Sequence, residues 1–162
     1  MHGFVQKVSR RIREKGLIQP TEHVVLAVSG GPDSVSMARA FASLRYRISI
    51  AWVDHGHRPS ARLDGELVAR LAASLNAPFI SLRASPTSVS EAGLRDARYA
   101  ELSALEGDCI APARTANDQA ETVLMRMIRG SGISGLSGIP DRRGRFVRPL
   151  LGMTRKDVLA YL

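Results

Sequence analysis

The sequence predicts an α/β fold: a doubly wound, mostly parallel five-stranded sheet with helices on both faces. Apolar runs of strand length alternate with segments of helical periodicity along the chain. The first of these runs is apolar on both faces, as in a buried parallel sheet. Three polar loops, over 29–34, 54–60 and 113–118, directly follow predicted strands. Such loops meet at the carboxyl edge of a parallel sheet, so we expect one ligand site there.

The first half of the chain predicts three helices and three strands. Apolar side chains at helical spacing define one face of a helix over 3–15, namely Phe4, Val5, Val8 and Ile12. A leucine at every fourth position from Leu63 to Leu75 predicts a helix over 61–76. The remaining elements are a helix over 34–45, with Ala38, Phe41 and Leu44 inward, and strands over 23–28, 47–53 and 78–82.

The second half continues the alternation. Ser90 is placed to cap a helix that runs to about Leu105, and a strand over 108–113 follows. The next helix runs through Arg129, and its apolar residues are expected to be buried: Ala120, Val123, Leu124, Met127 and Ile128. A glycine-rich loop over 130–138, a short fifth strand over 145–148 and a helix capped by Thr154 complete the chain.

Composition limits the possible classes of protein. A length of 162 residues is that of one domain. A single cysteine excludes a disulfide framework and favours a reducing compartment, so we expect the protein in the cytoplasm. No apolar stretch approaches membrane-spanning length, so no membrane partner is expected. A net charge of +8 is consistent either with a nucleic-acid partner or with a solvated basic surface.

The loop over 29–34, SGGPDS, has the composition of a phosphate site. Its two glycines let the backbone approach an anion, and the N-terminus of the following helix favours negative charge. The carboxylate of Asp33 would repel phosphates unless a cation lay between them, which predicts Mg²⁺. A Walker loop is excluded because no lysine follows the glycines. A formal G-x-G-x-x-G over 130–135 follows a helical pattern, so a flexible loop is favoured there over a dinucleotide site.

The same loop resembles the S-G-G-x-D-S signature of the PP-loop ATP pyrophosphatases. Further segments occur in the order found in the tRNA(Ile)-lysidine synthase family, which the chain resembles over residues 20–162. These segments are VDHGHR at 53–58, a glutamate and RDARY within 91–99, DQAETVLMR at 118–126, RGSG at 129–132 with GL at 135–136, and RPLL at 148–151.

This resemblance implies a single PP-loop nucleotide-binding domain over 1–162, with an N-terminal helix within 1–20. It also implies an ATP-dependent ligase that acts on tRNA(Ile) with the anticodon CAU. In that family, ATP adenylates the C2 oxygen of the wobble cytidine, and the amine of free L-lysine then displaces AMP. The cofactors would be ATP and Mg²⁺, and the oligomeric state, including a homodimer, stays open.

The resemblance further assigns roles to residues. ATP and Mg²⁺ would be held by Ser29, Gly30, Gly31, Pro32, Asp33 and Ser34, with Asp33 as the metal ligand. His55 would serve an adenosine pocket, a role we favour over a zinc site shared with His57. The catalytic residues would be Asp33, Asp118 and Arg114. Four arginines could face the phosphates or the tRNA, namely Arg95, Arg98, Arg126 and Arg129.

The chain departs from the family pattern His-x-x-Asp-Asp-Gln-x-Glu-Thr at two positions. Arg114 replaces the histidine and Asn117 replaces the first aspartate. An arginine cannot act as a base or bind a metal, but it can stabilise negative charge. The family also continues beyond the helix in which this sequence ends, so we expect weaker tRNA binding. Two alternatives stay open: a non-catalytic nucleotide- or RNA-binding remnant, and a related enzyme that thiolates tRNA, against which the single cysteine argues.

Overall fold

A six-stranded sheet, parallel except at one edge, forms the centre of the molecule. The computed structural model describes residues 2–54, 61–84, 90–130 and 137–162. Its strands are β1 (His23–Ala27), β2 (Arg47–Asp54), β3 (Phe79–Arg83), β4 (Cys109–Pro112), β5 (Arg142–Arg143) and β6 (Phe146–Val147). Its helices are α1 (Gly3–Glu14), α2 (Pro32–Ser43), α3 (Ala61–Ser74), α4 (Glu91–Ser103), α5 (Ala116–Ile128) and α6 (Arg155–Tyr161). This architecture confirms the predicted α/β class.

The strand order β3-β2-β1-β4-β6-β5 places β1 at the point where the chain reverses its direction across the sheet. From β1 the chain moves outward through β2 to β3, and it then returns to add β4 on the other side of β1. In sheets of this kind, ligands bind beyond the carboxyl ends of the strands at such a switch point. The ends of β1, β2 and β4 are therefore the expected location of a site.

The prediction of five strands was one strand short. The short strand predicted over 145–148 is β6, reduced to Phe146–Val147, and it pairs in parallel with β4. The additional strand β5 pairs with β6 in the antiparallel sense, Arg142 opposite Val147. Gly144 makes this hairpin possible because it adopts a positive φ of 58° in the connection. A strand of two residues carries no alternating pattern, so periodicity could not reveal β5.

The predicted core of the N-terminal half is confirmed. Phe4, Val5, Val8 and Ile12 are all buried on one face of α1, and Ala38 and Phe41 of α2 have no exposed surface. Helix α2 begins two residues earlier than expected because Pro32 occupies its first turn, where a missing N–H costs nothing. The single cysteine, Cys109, is buried in β4, and burial raises the pKa of its thiol to about 11.

The leucines of α3 do not form the inward face of that helix. Leu63 and Leu67 are largely exposed, whereas Val68 and Ala72 are fully buried and Leu71 lies at the edge of the core. Four residues make slightly more than one turn of a helix, so a residue repeated every fourth position drifts by about 40° at each step. The leucines consequently become less exposed along the helix, from Leu63 on the solvent side to Leu71 at the core.

The predicted burial of the α5 apolar residues is wrong. None of its residues is buried, and Leu124, Met127 and Ile128 are exposed by 57%, 56% and 81%. The helix is held by polar contacts instead: the Ala116 N–H donates to the Met153 carbonyl, and Gln119 exchanges hydrogen bonds with backbone atoms of Ile139. Among the described residues, no helix has both the length and the apolar character to cross a membrane.

Candidate anion and nucleotide site

The SGGPDS loop lies where β1 ends and α2 begins. Gly30 adopts a φ of +91°, a conformation in which a side chain is strained, and Gly31 is the N-cap of α2 in an extended conformation. In the part of the chain that the structure describes, no side chain caps α2 at Gly31. The first turn of α2 thus presents backbone N–H groups and the positive end of the helix dipole to this loop, as an anion site requires.

Ser34 fixes the shape of the loop. Its hydroxyl donates to the Gly31 carbonyl at 2.9 Å and accepts from the Ser29 N–H at 3.2 Å. The two serine hydroxyl oxygens lie 3.4 Å apart. Because Ser34 is buried, these bonds hold the loop in one conformation before any ligand arrives. A preformed loop of this kind loses little conformational entropy on binding.

A cavity of about 500 Å³ opens beside the loop, at the carboxyl edge of the sheet. Its floor is formed by the ends of three strands, namely Ala27–Ser29, Ala51–Asp54 and Pro112–Arg114. Helix α4 contributes Arg95, Arg98 and Tyr99 to one wall, and Asp64 of α3 lines another part. The volume is in the range of small-molecule sites. Two of the three predicted polar loops thus meet as expected, while 55–60 of the third lie outside the described residues.

One part of the cavity wall carries three arginines, while Asp54 and Asp64 line other parts. Burial, and after it the charge of Arg114, lower the pKa of Arg98 from its ordinary value. The guanidinium groups of Arg98 and Arg114 therefore repel each other, and an anion bound near both would offset this repulsion. The structure brings Arg95, Arg98 and Arg114 together from α4 and the end of β4, although they are distant in sequence. This arrangement favours a ligand with phosphate groups.

Asp118 holds Arg114 in place. One oxygen of the Asp118 carboxylate accepts from the Arg114 guanidinium at 3.1 Å, and the other accepts from the N–H and hydroxyl of Thr115 at 2.7 and 2.9 Å. Burial alone would raise the pKa of Asp118, but the Thr115 and Arg114 hydrogen bonds lower it overall. Burial alone would lower the pKa of Arg114, but the bond to Asp118 raises it overall. The pair therefore stays ionised, with Arg114 as a fixed cation.

Asp33 lies in the first turn of α2 and forms an ion pair that the sequence did not indicate. Its carboxylate accepts from the guanidinium of Arg155, at the start of α6, over 3.2 Å. The backbone N–H of Arg155 donates in turn to the side-chain oxygen of Asn117 at 2.9 Å. Asn117, one of the two departures from the family pattern, thus fastens the first turn of α6 to α5.

Among the described residues, several predicted site residues are not part of the cavity lining, namely Gly30, Gly31, Pro32, Asp33, Asp118, Arg126 and Arg129. Arg126 donates to the Gly138 carbonyl at 3.0 Å, and Arg129 is the exposed C-cap of α5. Neither side chain lines the cavity. His55, predicted for an adenosine pocket, lies outside the described residues.

Two aromatic side chains at the cavity were not among the predicted site residues. Trp52 packs against Gly65 of α3 and also lines the cavity. Tyr99 lines the cavity from α4. The position of Trp52 near the carboxyl end of β2 was the available signal, because that edge is where ligands bind. No comparable signal pointed to Arg155, whose partner Asp33 is 122 residues away.

The residues present are compatible with Mg²⁺ bound together with phosphates. Among the described residues, no three His, Cys, Asp or Glu side chains gather into a metal site. Mg²⁺ is commonly bound by one or two carboxylates, with phosphate oxygens and water as its other ligands. Asp33, in the first turn of the helix that follows the loop, is suited to be such a carboxylate.

Comparison with solved structures shows that the fold is shared. A U34-tRNA thiolase from Methanococcus maripaludis superposes with a TM-score of 0.76 at 15% identity, over 98% of this chain and 63% of that chain. An NH₃-dependent NAD synthetase from Campylobacter jejuni superposes with a TM-score of 0.59 at 19% identity, over 98% and 70%. At such identities the likeness concerns the fold alone.

Comparison with curated sequences gives closer relatives. A tRNA(Ile)-lysidine synthase from Symbiobacterium thermophilum is 37% identical over 98% of this chain and 37% of its own length. The corresponding enzyme of Rhodopseudomonas palustris is 40% identical over 86% of this chain and 45% of its own length. The chain therefore spans less than half the length of these relatives. The sequence profile of the PP-loop domain matches residues 3–162, and the chain accordingly belongs to the PP-loop domain family.

Proposed function

We propose that this chain is the nucleotide-binding, catalytic domain of a tRNA(Ile)-lysidine synthase. Its substrates are ATP, free L-lysine and tRNA(Ile) with the anticodon CAU. The observation that carries this proposal is the cavity where the SGGPDS loop and three arginines meet, in a chain similar over nearly its whole length to proteins of that name. Membership in the PP-loop domain family supports the use of ATP.

The reaction divides into two displacements. The C2 oxygen of the wobble cytidine attacks the α-phosphorus of ATP, so that pyrophosphate leaves and the base carries AMP. The amine of lysine then attacks C2 and forms a C–N bond. The C2–O bond breaks, and AMP leaves with the oxygen that was bonded to C2. Both steps develop negative charge on phosphate oxygens, which fixed cations and helix N-termini stabilise.

The residues of the chain divide this work. Ser29, Gly30, Gly31 and Ser34 hold the phosphates at the N-terminus of α2, whose first turn Pro32 begins. Asp33 would hold Mg²⁺, which would neutralise phosphate charge. Arg98 and Arg114 face the phosphates from the cavity wall, and Asp118 keeps Arg114 oriented. Arg95 and Arg129 are exposed, and Arg126 is half-buried. All three are assigned to the tRNA backbone, where such contacts supply much of the affinity.

The two departures from the family pattern are compatible with this role. Arg114 contributes a fixed charge and no proton transfer, since a guanidinium stays protonated. Asn117 accepts a hydrogen bond that an aspartate at this position could also accept. The thiolase alternative is less well supported, because the one cysteine in the sequence is buried in β4 with a raised thiol pKa.

The test is transfer of labelled lysine to tRNA(Ile) with the anticodon CAU, in the presence of ATP and Mg²⁺. We expect labelled tRNA, and we expect none when the wobble cytidine of the same tRNA is replaced by uridine. Both bases have a C2 carbonyl, but only cytidine has a C4 amino group that is conjugated with it through an unprotonated N3, whereas uridine has a second carbonyl at C4. ATP binding without any transfer would favour the non-catalytic remnant instead. Equal labelling of both tRNAs would contradict the proposed substrate.

A further inference from the structure

Arg155 forms an ion pair with the Asp33 carboxylate, which the proposed function assigns to Mg²⁺ as a ligand. Its guanidinium lies 3.2 Å from Asp33, and the side chains of both residues are partly exposed. Within the described part of the chain, Arg155 is the partner with which Asp33 forms an ion pair. A cation that binds to Asp33 must therefore compete with a cation that the chain itself supplies.

The backbone of Arg155 is held on two sides. The Asn117 side chain accepts its N–H at 2.9 Å, and the Ala116 N–H donates to the Met153 carbonyl just before α6. Thr154 and Asp157 form a reciprocal capping box around the same turn, in which the Thr154 hydroxyl and N–H donate to the carboxylate at 2.7 and 2.9 Å. Asp157 is tied to α1 by Lys7 at 2.6 Å. The guanidinium is thus mounted on a fixed turn, beside the phosphate loop.

We propose that Arg155 is the resident counter-ion of Asp33 and a positioning residue for the metal–nucleotide complex. Without nucleotide, Arg155 pairs with Asp33 and weakens divalent-cation binding there. When the cation arrives with the phosphates, the cation takes Asp33, and the guanidinium pairs with the negative charge of the phosphates. Asn117 holds the turn without adding a carboxylate that would compete with Asp33 for Arg155. This inference rests on the proposed role of Asp33 as a metal ligand.

The competition has an unusual consequence that can be measured. Loss of Arg155 should strengthen the binding of the cation alone, because its competitor is gone. The same loss should weaken the binding of the cation together with nucleotide, because the phosphates lose a positive partner. A residue with a purely structural role would not move these two affinities in opposite directions.

The experiment titrates Mn²⁺, a spectroscopic substitute for Mg²⁺, and follows free Mn²⁺ by electron paramagnetic resonance. It is run with and without a non-hydrolysable ATP analogue. For Arg155→Gln we expect Mn²⁺ binding without nucleotide to tighten by about threefold to fivefold, the range of a partly exposed ion pair. With the analogue we expect binding to weaken by a similar factor. Arg155→Lys should retain part of both effects, since it keeps the charge but not the planar fork.

Lys156→Gln is the matched control, because it removes the same charge from the adjacent, exposed position of α6. Equal responses of the Arg155 and Lys156 variants would overturn the inference, as would Mn²⁺ binding without nucleotide that Arg155→Gln leaves unchanged or undetectable. Asp33→Asn separates this inference from the role on which it rests. If that variant binds Mn²⁺ as the unaltered protein does, Asp33 is not the metal ligand and the proposed site itself is wrong.

Discussion

Arg114 shows how one side chain sets the chemistry of the cavity. Its guanidinium donates a hydrogen bond to Asp118. Burial lowers the pKa of Arg98 on α4, and the charge of Arg114 lowers it further. A histidine at this position could take up or release a proton near neutral pH, whereas an arginine cannot. In the proposed reaction, Arg114 would therefore stabilise charge electrostatically, and any proton transfer would use another group. The Asp118 carboxylate remains ionised, so Arg114 keeps its partner across the neutral pH range.

At the residue scale, the conformation of Gly30 gives the first prediction. Gly30→Ala should lower the free energy of unfolding by about 1–2 kcal/mol, because a φ of +91° strains any residue with a Cβ. It should also weaken ATP binding, since relief of the strain moves the loop. Urea denaturation measures the first effect. The fluorescence of Trp52, the one tryptophan of the chain, measures the second because its ring lines the cavity.

Gly3→Ala is the control for this substitution. Gly3 is the first residue of α1, and nothing lies within 4 Å of a Cβ added there. We expect unchanged ATP binding and unchanged or slightly higher stability, since alanine is the better helix former. If Gly30→Ala behaved in the same way, the positive φ of Gly30 would not be needed for the phosphate loop.

At the scale of elements, α5 shows that an amphipathic pattern does not by itself predict which residues are buried. A row of apolar residues indicates that a helix has an apolar face, but it does not say which element covers that face. Here the strand that precedes α5 along the chain, β4, is only four residues long. The helix is held by its N-terminal turn and by the bonds of Gln119 and Arg126 to the segment over 138–139. The apolar side chains at its end stay exposed.

This exposure predicts tolerance of polar substitutions. Ile128→Ser should change the free energy of unfolding by no more than about 0.5 kcal/mol, because the Ile128 side chain is 81% exposed. Leu26→Ala, at a fully buried position of β1, should lower it by about 2–5 kcal/mol in the same urea titration. A loss of similar size in the two variants would mean that the end of α5 is packed in solution.

At the scale of the whole molecule, the two ends of the chain form one polar network. Lys7 and Arg11 of α1 form ion pairs with Asp157 and Asp141, and Phe4 stacks on Tyr161 with ring centroids 4.8 Å apart. Several arginines of the C-terminal segment donate to backbone carbonyls: Arg142 to Leu17, Arg145 to Leu105 and Gly107, and Arg148 to Pro140. These arginines therefore satisfy internal acceptors, so a positive side chain in this segment does not by itself indicate a nucleic-acid contact. The case for tRNA rests instead on the relatives.

The predictable features are those with local causes. The SGGPDS loop was readable because small residues follow an apolar run and precede a helix, and the buried face of α1 was readable because its spacing is helical. The leucine row of α3 predicted a helix but not its buried face, because which leucines are buried depends on how the helix packs on the sheet. The Asp33–Arg155 pair joins residues 122 positions apart, and no local pattern records such a contact.

Release of pyrophosphate from ATP is the sharpest test of the proposed function. The full chain is incubated with ATP, Mg²⁺, lysine and tRNA(Ile) with the anticodon CAU, and pyrophosphate is measured over time. We expect release that requires the tRNA and is lost in Asp33→Asn, because cleavage follows attack by the wobble cytidine on a phosphate held with Mg²⁺. Release at the same rate without tRNA, or unchanged release by Asp33→Asn, would contradict the account.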